Sequence, residues 1–136
     1  MLKYSRPELV VANPPAPSRP PAILGSEPPH TWCYFFEKAD LAAWQGDWRA
    51  VSSLGDQTAV QRLAPRDRSE WLIFIEGYAR TGAYDKAHLL SRALLDEPRL
   101  QSSVCMLWQE LVAEPLPIED SKTLPVQIYS ALGCKE

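Results

Sequence analysis

Two stretches decide the reading of this chain: Trp44-Gln45-Gly46-Asp47-Trp48-Arg49-Ala50-Val51 and Arg80-Thr81-Gly82-Ala83-Tyr84-Asp85-Lys86-Ala87. In each, a glycine is followed two positions later by an aromatic residue and shortly afterwards by a small one. The two glycines stand 36 residues apart, a period that suits one helix-turn-helix unit per repeat. A short turn between two antiparallel helices needs a residue that accepts positive φ, which Gly46 and Gly82 supply. The aromatic two places on, Trp48 or Tyr84, plugs the open end of the pair. Ala50 or Val51 in the first copy, and Ala87 in the second, let the two backbones approach. Trp71, Phe74 and Tyr78 are then the large residues that fill the space between neighbouring pairs.

Helical periodicity extends to both sides of these turns. Thr31 is placed to cap a first helix with Tyr34, Phe35, Lys38, Ala39, Leu41 and Ala42 on one broad stripe. A second stripe, Trp48, Val51, Leu54 or Gly55, Ala59 and Leu63, ends before Pro65, and Gly55 is expected to bend or break it. Asp67 or Ser69 caps a third helix over Glu70–Arg80. A fourth begins near Tyr84 and stops before Pro98. A fifth runs from about Leu100 to Ala113 with Val104, Leu107, Trp108 and Leu111. A short last helix fits with Pro125 in its first turn and Gly133 just past its end. No segment alternates with period two, so the expected fold is all-α.

The second copy resembles the tetratricopeptide family in Trp71-x2-Phe74-Ile75-x2-Tyr78, Gly82, Tyr84 and Ala87. The first resembles it in Phe35, Ala39, Ala42, Gly46, Trp48 and Val51. Phe74 and Ile75 stand where the family favours Leu and Gly, Lys38 takes a usually apolar position, and Ser91 replaces a large residue. The resemblance implies two antiparallel helix-turn-helix repeats, with the fifth helix capping the stack in place of a third. It also implies that the first helix of each pair lines a concave side. In that register Phe36, Asp40, Ala43 and Trp44 point there from copy one, and Leu72, Ile73, Glu76 and Arg80 from copy two. Aromatic, aliphatic and charged groups in one trough suit an extended peptide, with apolar anchors for burial and charges for register.

A second resemblance lies in His30-Thr31-Trp32-Cys33-Tyr34-Phe35-Phe36-Glu37-Lys38-Ala39-Asp40-Leu41-Ala42 followed by Gly46-Asp47-Trp48. Over about residues 28–90 the chain is similar to the soluble C-terminal domain of bacterial multi-spanning membrane proteins, often labelled glycosyltransferases. This likeness implies an excised domain tethered to the cell membrane through its Pro-rich start, with the catalytic part elsewhere.

Composition narrows the function classes further. Fourteen Lys+Arg against 17 Asp+Glu give a formal charge of −3, without the basic excess of a nucleic-acid binder. No apolar run approaches the roughly 20 residues of a membrane span, and Met1 to Val10 lacks the pattern of a signal peptide. Eight of the 13 prolines precede residue 30, which marks residues 1–29 as an extended linker or strap. Within it Pro17 and Pro20 form one PxxP beside Arg19. Residues 30–113 then make the helical domain and residues 114–136 a C-terminal tail.

Catalytic and metal chemistry find little support. Glu37 and Asp40 share a helix face and Glu76 is their counterpart in the third helix, an arrangement read as a solvated acidic surface. His88 lies three residues before Ser91, with nothing to orient it. His30 and Cys33 are the one short pairing of metal-ligand types, and no second pair answers them. Cys33, Cys105 and Cys134 are an odd, widely spaced set, read as two buried apolar cysteines and one in a loose tail. No disulfide framework is implied, and unpaired cysteines fit a reducing compartment, although a tethered domain could face either side of a membrane.

The leading expectation is therefore a non-catalytic helical-repeat domain, without metal or cofactor, that binds a protein or peptide partner. One alternative is a glycan-contacting accessory domain of a membrane glycosyltransferase, with Trp32, Trp44 or Trp48 exposed for stacking on a sugar. Another is a structural homodimer.

Overall fold

The computed structural model describes residues 29–113 and 123–134; the proline-rich linker reading falls almost wholly outside them. These residues form six α-helices and contain no strand. α1 is Trp32–Trp44, α2 Trp48–Val60, α3 Leu72–Arg80, α4 Tyr84–Leu94, α5 Pro98–Ala113 and α6 Thr123–Ala131. α1 pairs with α2 and α3 with α4, each through a three-residue turn. α3 lies against both members of the first pair, α5 against both members of the second, and α6 folds back onto α5 and α4.

The two turns are closed in the same way. Gly46 takes φ +76° and Gly82 φ +83°. The next amide reaches back five residues in each case, from Asp47 to the Ala42 carbonyl and from Ala83 to the Tyr78 carbonyl, both at 2.8 Å. The end of α2 has the same closure, with the Leu63 amide donating to the Thr58 carbonyl at 2.9 Å. There the left-handed position is held by Arg62 at φ +55°, a conformation that costs a non-glycine residue about 1 kcal/mol or more. Arg62→Gly is accordingly expected to raise stability by about 0.5–1 kcal/mol, read as a shift of the urea midpoint with an unchanged slope.

Two other glycines serve packing. Gly55 does not bend or break α2, which runs unbroken from Trp48 to Val60. A Cβ at Gly55 would lie 2.6 Å from the Tyr78 hydroxyl, and one at Gly77 would lie 2.5 Å from Val51 Cγ1. α2 and α3 thus meet through glycines, which offsets the helix propensity that Gly55 forgoes. The buried stripe of α2 is Val51, Leu54, Gly55 and Thr58. Ala59, expected inside, is exposed. Thr58 tolerates burial because its hydroxyl donates to the Gly55 carbonyl at 2.7 Å.

The third helix also starts differently. Arg68–Trp71 is a 3-10 turn, and the α-helix begins at Leu72. Asp67 precedes the turn and accepts the Ser69 amide at 3.0 Å. The Ser69 hydrogen bonds, followed by the charge of Arg99, hold the Asp67 carboxyl below its ordinary range.

Trp108 is fully buried. Its indole donates to the Ser91 hydroxyl at 2.8 Å, and Ser91 donates to the Ala87 carbonyl at 2.7 Å. The small residue at 91 thus makes room for an indole from α5 and satisfies its one polar atom.

The cysteine expectation is corrected. Cys105 on α5 and Cys134, just after α6, form a disulfide with Cα atoms 5.4 Å apart. The two lie 29 residues apart in the chain and are joined only because α6 doubles back. Cys33 is the free thiol and it is exposed, so the argument from unpaired cysteines to a reducing compartment loses two of its three residues. No helix among the described residues is long and apolar enough to cross a membrane.

Candidate interaction surface

α1 buries Trp32, Phe35, Ala39 and Ala42. Helical geometry then turns Glu37, Asp40, Leu41 and Trp44 to the opposite side, since residues three and four apart share a face. With Ala43, these side chains line an open hollow of about 480 Å³. Trp44 is 54% exposed, and the two carboxylates give its surroundings a negative charge. An indole left in water forgoes about 25 cal/mol for each Å² of apolar surface that a partner would cover.

The counterparts on α3 are more enclosed. Leu72, Ile73, Glu76 and Arg80 are all half-buried, as are Phe36 and Ala43 on α1. Glu76 and Arg80 pair with each other at 2.8 Å, and the Arg80 guanidinium lies 4.6 Å from the centre of the Trp48 ring. Of the residues expected on a shared concave face, the structure therefore brings Asp40, Ala43 and Trp44 into one hollow and joins Glu76 to Arg80. The hollow on α1 draws none of its lining from α3.

Of the three tryptophans offered as alternatives for stacking on a sugar, two are enclosed. Trp32 is buried against Trp71 and Phe74, and its indole donates to the Glu70 carboxylate. Trp48 is half-buried with a guanidinium over its ring. Of the five tryptophans only Trp44 is exposed.

The remaining repeat positions are structural in their surroundings. Tyr84 and Ala87 are buried. Tyr78 donates to Asp56 at 3.0 Å, and Lys86 approaches the same carboxylate at 2.6 Å. Burial first, then the Asp56 carboxylate, pushes the Tyr78 phenol well above its ordinary pKa. Ser91 is committed to Trp108 and Ala87, so it forms no nucleophile pair with His88. No group of three or more metal-ligating side chains occurs among the described residues.

Two further hollows went unforeseen. One, of about 380 Å³, lies between α4 and α6 and includes Tyr84, Asp85, His88, Gln127 and Ile128 in its walls. The Nε2 atom of His88 is buried there without a hydrogen-bond partner. This hollow depends on the docking of α6, and the sequence signals there, Pro125 and Gly133, mark a helix but not where it packs. The other, of about 190 Å³, lies between α1 and α2 and is lined by His30, Tyr34, Lys38, Ala50, Ser53, Leu54 and Gln57. His30 stacks on Tyr34 with ring centres 3.7 Å apart, and Lys38 reaches the Tyr34 hydroxyl at 3.3 Å.

No protein-family model matches this chain, and no curated protein or solved structure proved similar to it.

Proposed function

We propose that this chain is a non-catalytic interaction module of the tetratricopeptide-like kind, which holds a peptide segment of a protein partner against the open face of α1. The observation that carries this reading is Trp44, an exposed indole set beside Glu37, Asp40 and Leu41 on a hollow surface. Tryptophan is among the residues most enriched at binding hot spots. The carboxylates favour a basic segment.

Peptides selected from a random display library on the full chain provide the test. Trp44→Ala is expected to weaken the best of them by at least about 30-fold, corresponding to about 2 kcal/mol at a hot spot. Trp44 lies outside the buried core, so thermal stability should change little in the same variant. Unchanged peptide affinity would remove this face from consideration.

The same observation supports one rival, a glycan-contacting accessory domain of a membrane glycosyltransferase. A single open indole beside two carboxylates also suits a sugar ring. Titration with a panel of neutral oligosaccharides, followed through Trp44 fluorescence against Trp44→Phe, separates the two readings.

A further inference from the structure

α6 is held differently from the other helices. At nine residues it is as short as α3 and below the roughly 12–15 that an isolated helix needs to persist in water, but it is not packed between other helices as α3 is. It buries Pro125 and Ile128, with Leu132 just beyond its end. Its packing on α4 is incomplete, since the cleft with the unpartnered His88 Nε2 opens between them. The Cys105–Cys134 disulfide is the covalent part of its attachment.

α5 itself does not rely on that bond. It inserts Leu100, Val104, Trp108 and Leu111 into the core, and Trp108 is tied to Ser91 on α4. Both bridged cysteines are half-buried, which leaves the disulfide near the surface and within reach of a small thiolate.

We propose that Cys105–Cys134 is a redox modification site, a reducible latch on α6 whose co-reactant is a dithiol. One thiolate of the dithiol attacks a cystine sulfur, the S–S bond breaks, and a mixed disulfide forms while the other cysteine leaves as thiolate and takes up a proton. The second thiol of the reductant then displaces the remaining cysteine. The products are two protein thiols and a cyclic disulfide, with two electrons and two protons transferred. Once free, α6 leaves the α4–α5 surface and uncovers Tyr84, His88, Ile128 and Leu132, while α1–α5 keep their packing. This inference concerns α4, α5 and α6, none of which lines the hollow at Trp44, and does not depend on what binds there.

The test uses the full chain carrying Cys33→Ser, so that the exposed third thiol cannot exchange. Amide hydrogen exchange is compared in the oxidised protein and after equilibration with excess dithiothreitol. Amides of residues 127–132 are expected to exchange about 100-fold faster on reduction, in line with a cross-link over a loop of this size. Amides of α1–α4 should change less than about threefold, and reoxidation should restore the protection of α6. A variant with all three cysteines changed to serine should match the reduced state without any reductant. Unchanged exchange in α6 would overturn the proposal. So would a collective loss of protection across all six helices, in either protein, because the bond would then be a staple for the whole fold.

Discussion

Trp108→Ala is expected to lose about 3–5 kcal/mol of stability, the range for deleting a fully buried large aromatic side chain. A fall in melting temperature of roughly 10–20 °C should accompany it. The site cannot collapse easily, because the indole is held between α5 and α4 and opposite it stands a serine with no bulk to fill the void. Ser91→Ala separates packing from hydrogen bonding. It keeps the indole but leaves its N–H buried and unpaired, which should cost about 1–3 kcal/mol. The double variant should be less destabilised than the sum of the two, since the residues act as one unit. Chemical denaturation of the four proteins measures the cycle, and strict additivity would show that the bond between them contributes nothing.

Gly77→Ala carries the second large effect. Alanine would gain up to about 1 kcal/mol of helix propensity at this position. Its methyl, however, would sit 2.5 Å from Val51 Cγ1 and 3.4 Å from the Ser52 backbone nitrogen. Overpacking of this kind costs about 1–3 kcal/mol, so the clash is expected to win. In a Val51→Ala background the cost of Gly77→Ala should shrink, because the 2.5 Å contact with Cγ1 is gone while the 3.0 Å contact with the Val51 Cβ remains. Urea unfolding in both backgrounds gives the comparison. Equal destabilisation in the two would mean that α2 and α3 do not approach as closely as described.

The comparison of Gly46 and Gly82 with Gly55 and Gly77 shows what could be read from the sequence and what could not. The first two are legible because a turn between paired helices demands positive φ within a few residues of a periodic segment, a local requirement. Gly55 looks like a propensity defect until Tyr78, 23 residues later, is seen lying across it. That is a property of two helices at once, which no window along the chain contains. Cys105 and Cys134 were missed for the same reason, since their pairing depends on α6 folding back. Ala59 and Thr58 differ by one helical position, and the apolar residue was the natural choice for the interior. The threonine prevailed because its hydroxyl found a backbone carbonyl. For the candidate surface, spacing alone put Asp40 and Trp44 on one face of α1, but their degree of exposure and the enclosure of Glu76 and Arg80 depend on neighbours.

The narrow groove between α1 and α2 has a consequence for assembly. Stacked helix pairs lengthen by burying apolar surface on the next pair, and terminal units need a polar outer side to remain dissolved. Here that side offers a lysine ammonium at position 38, the Ser53 hydroxyl and the Gln57 amide around the ring stack of His30 and Tyr34. A second molecule arriving end-on would have to strip water from each of them for little apolar reward. Lys38 in this groove therefore disfavours the close stacking of another apolar helix face on this side of α1 and α2.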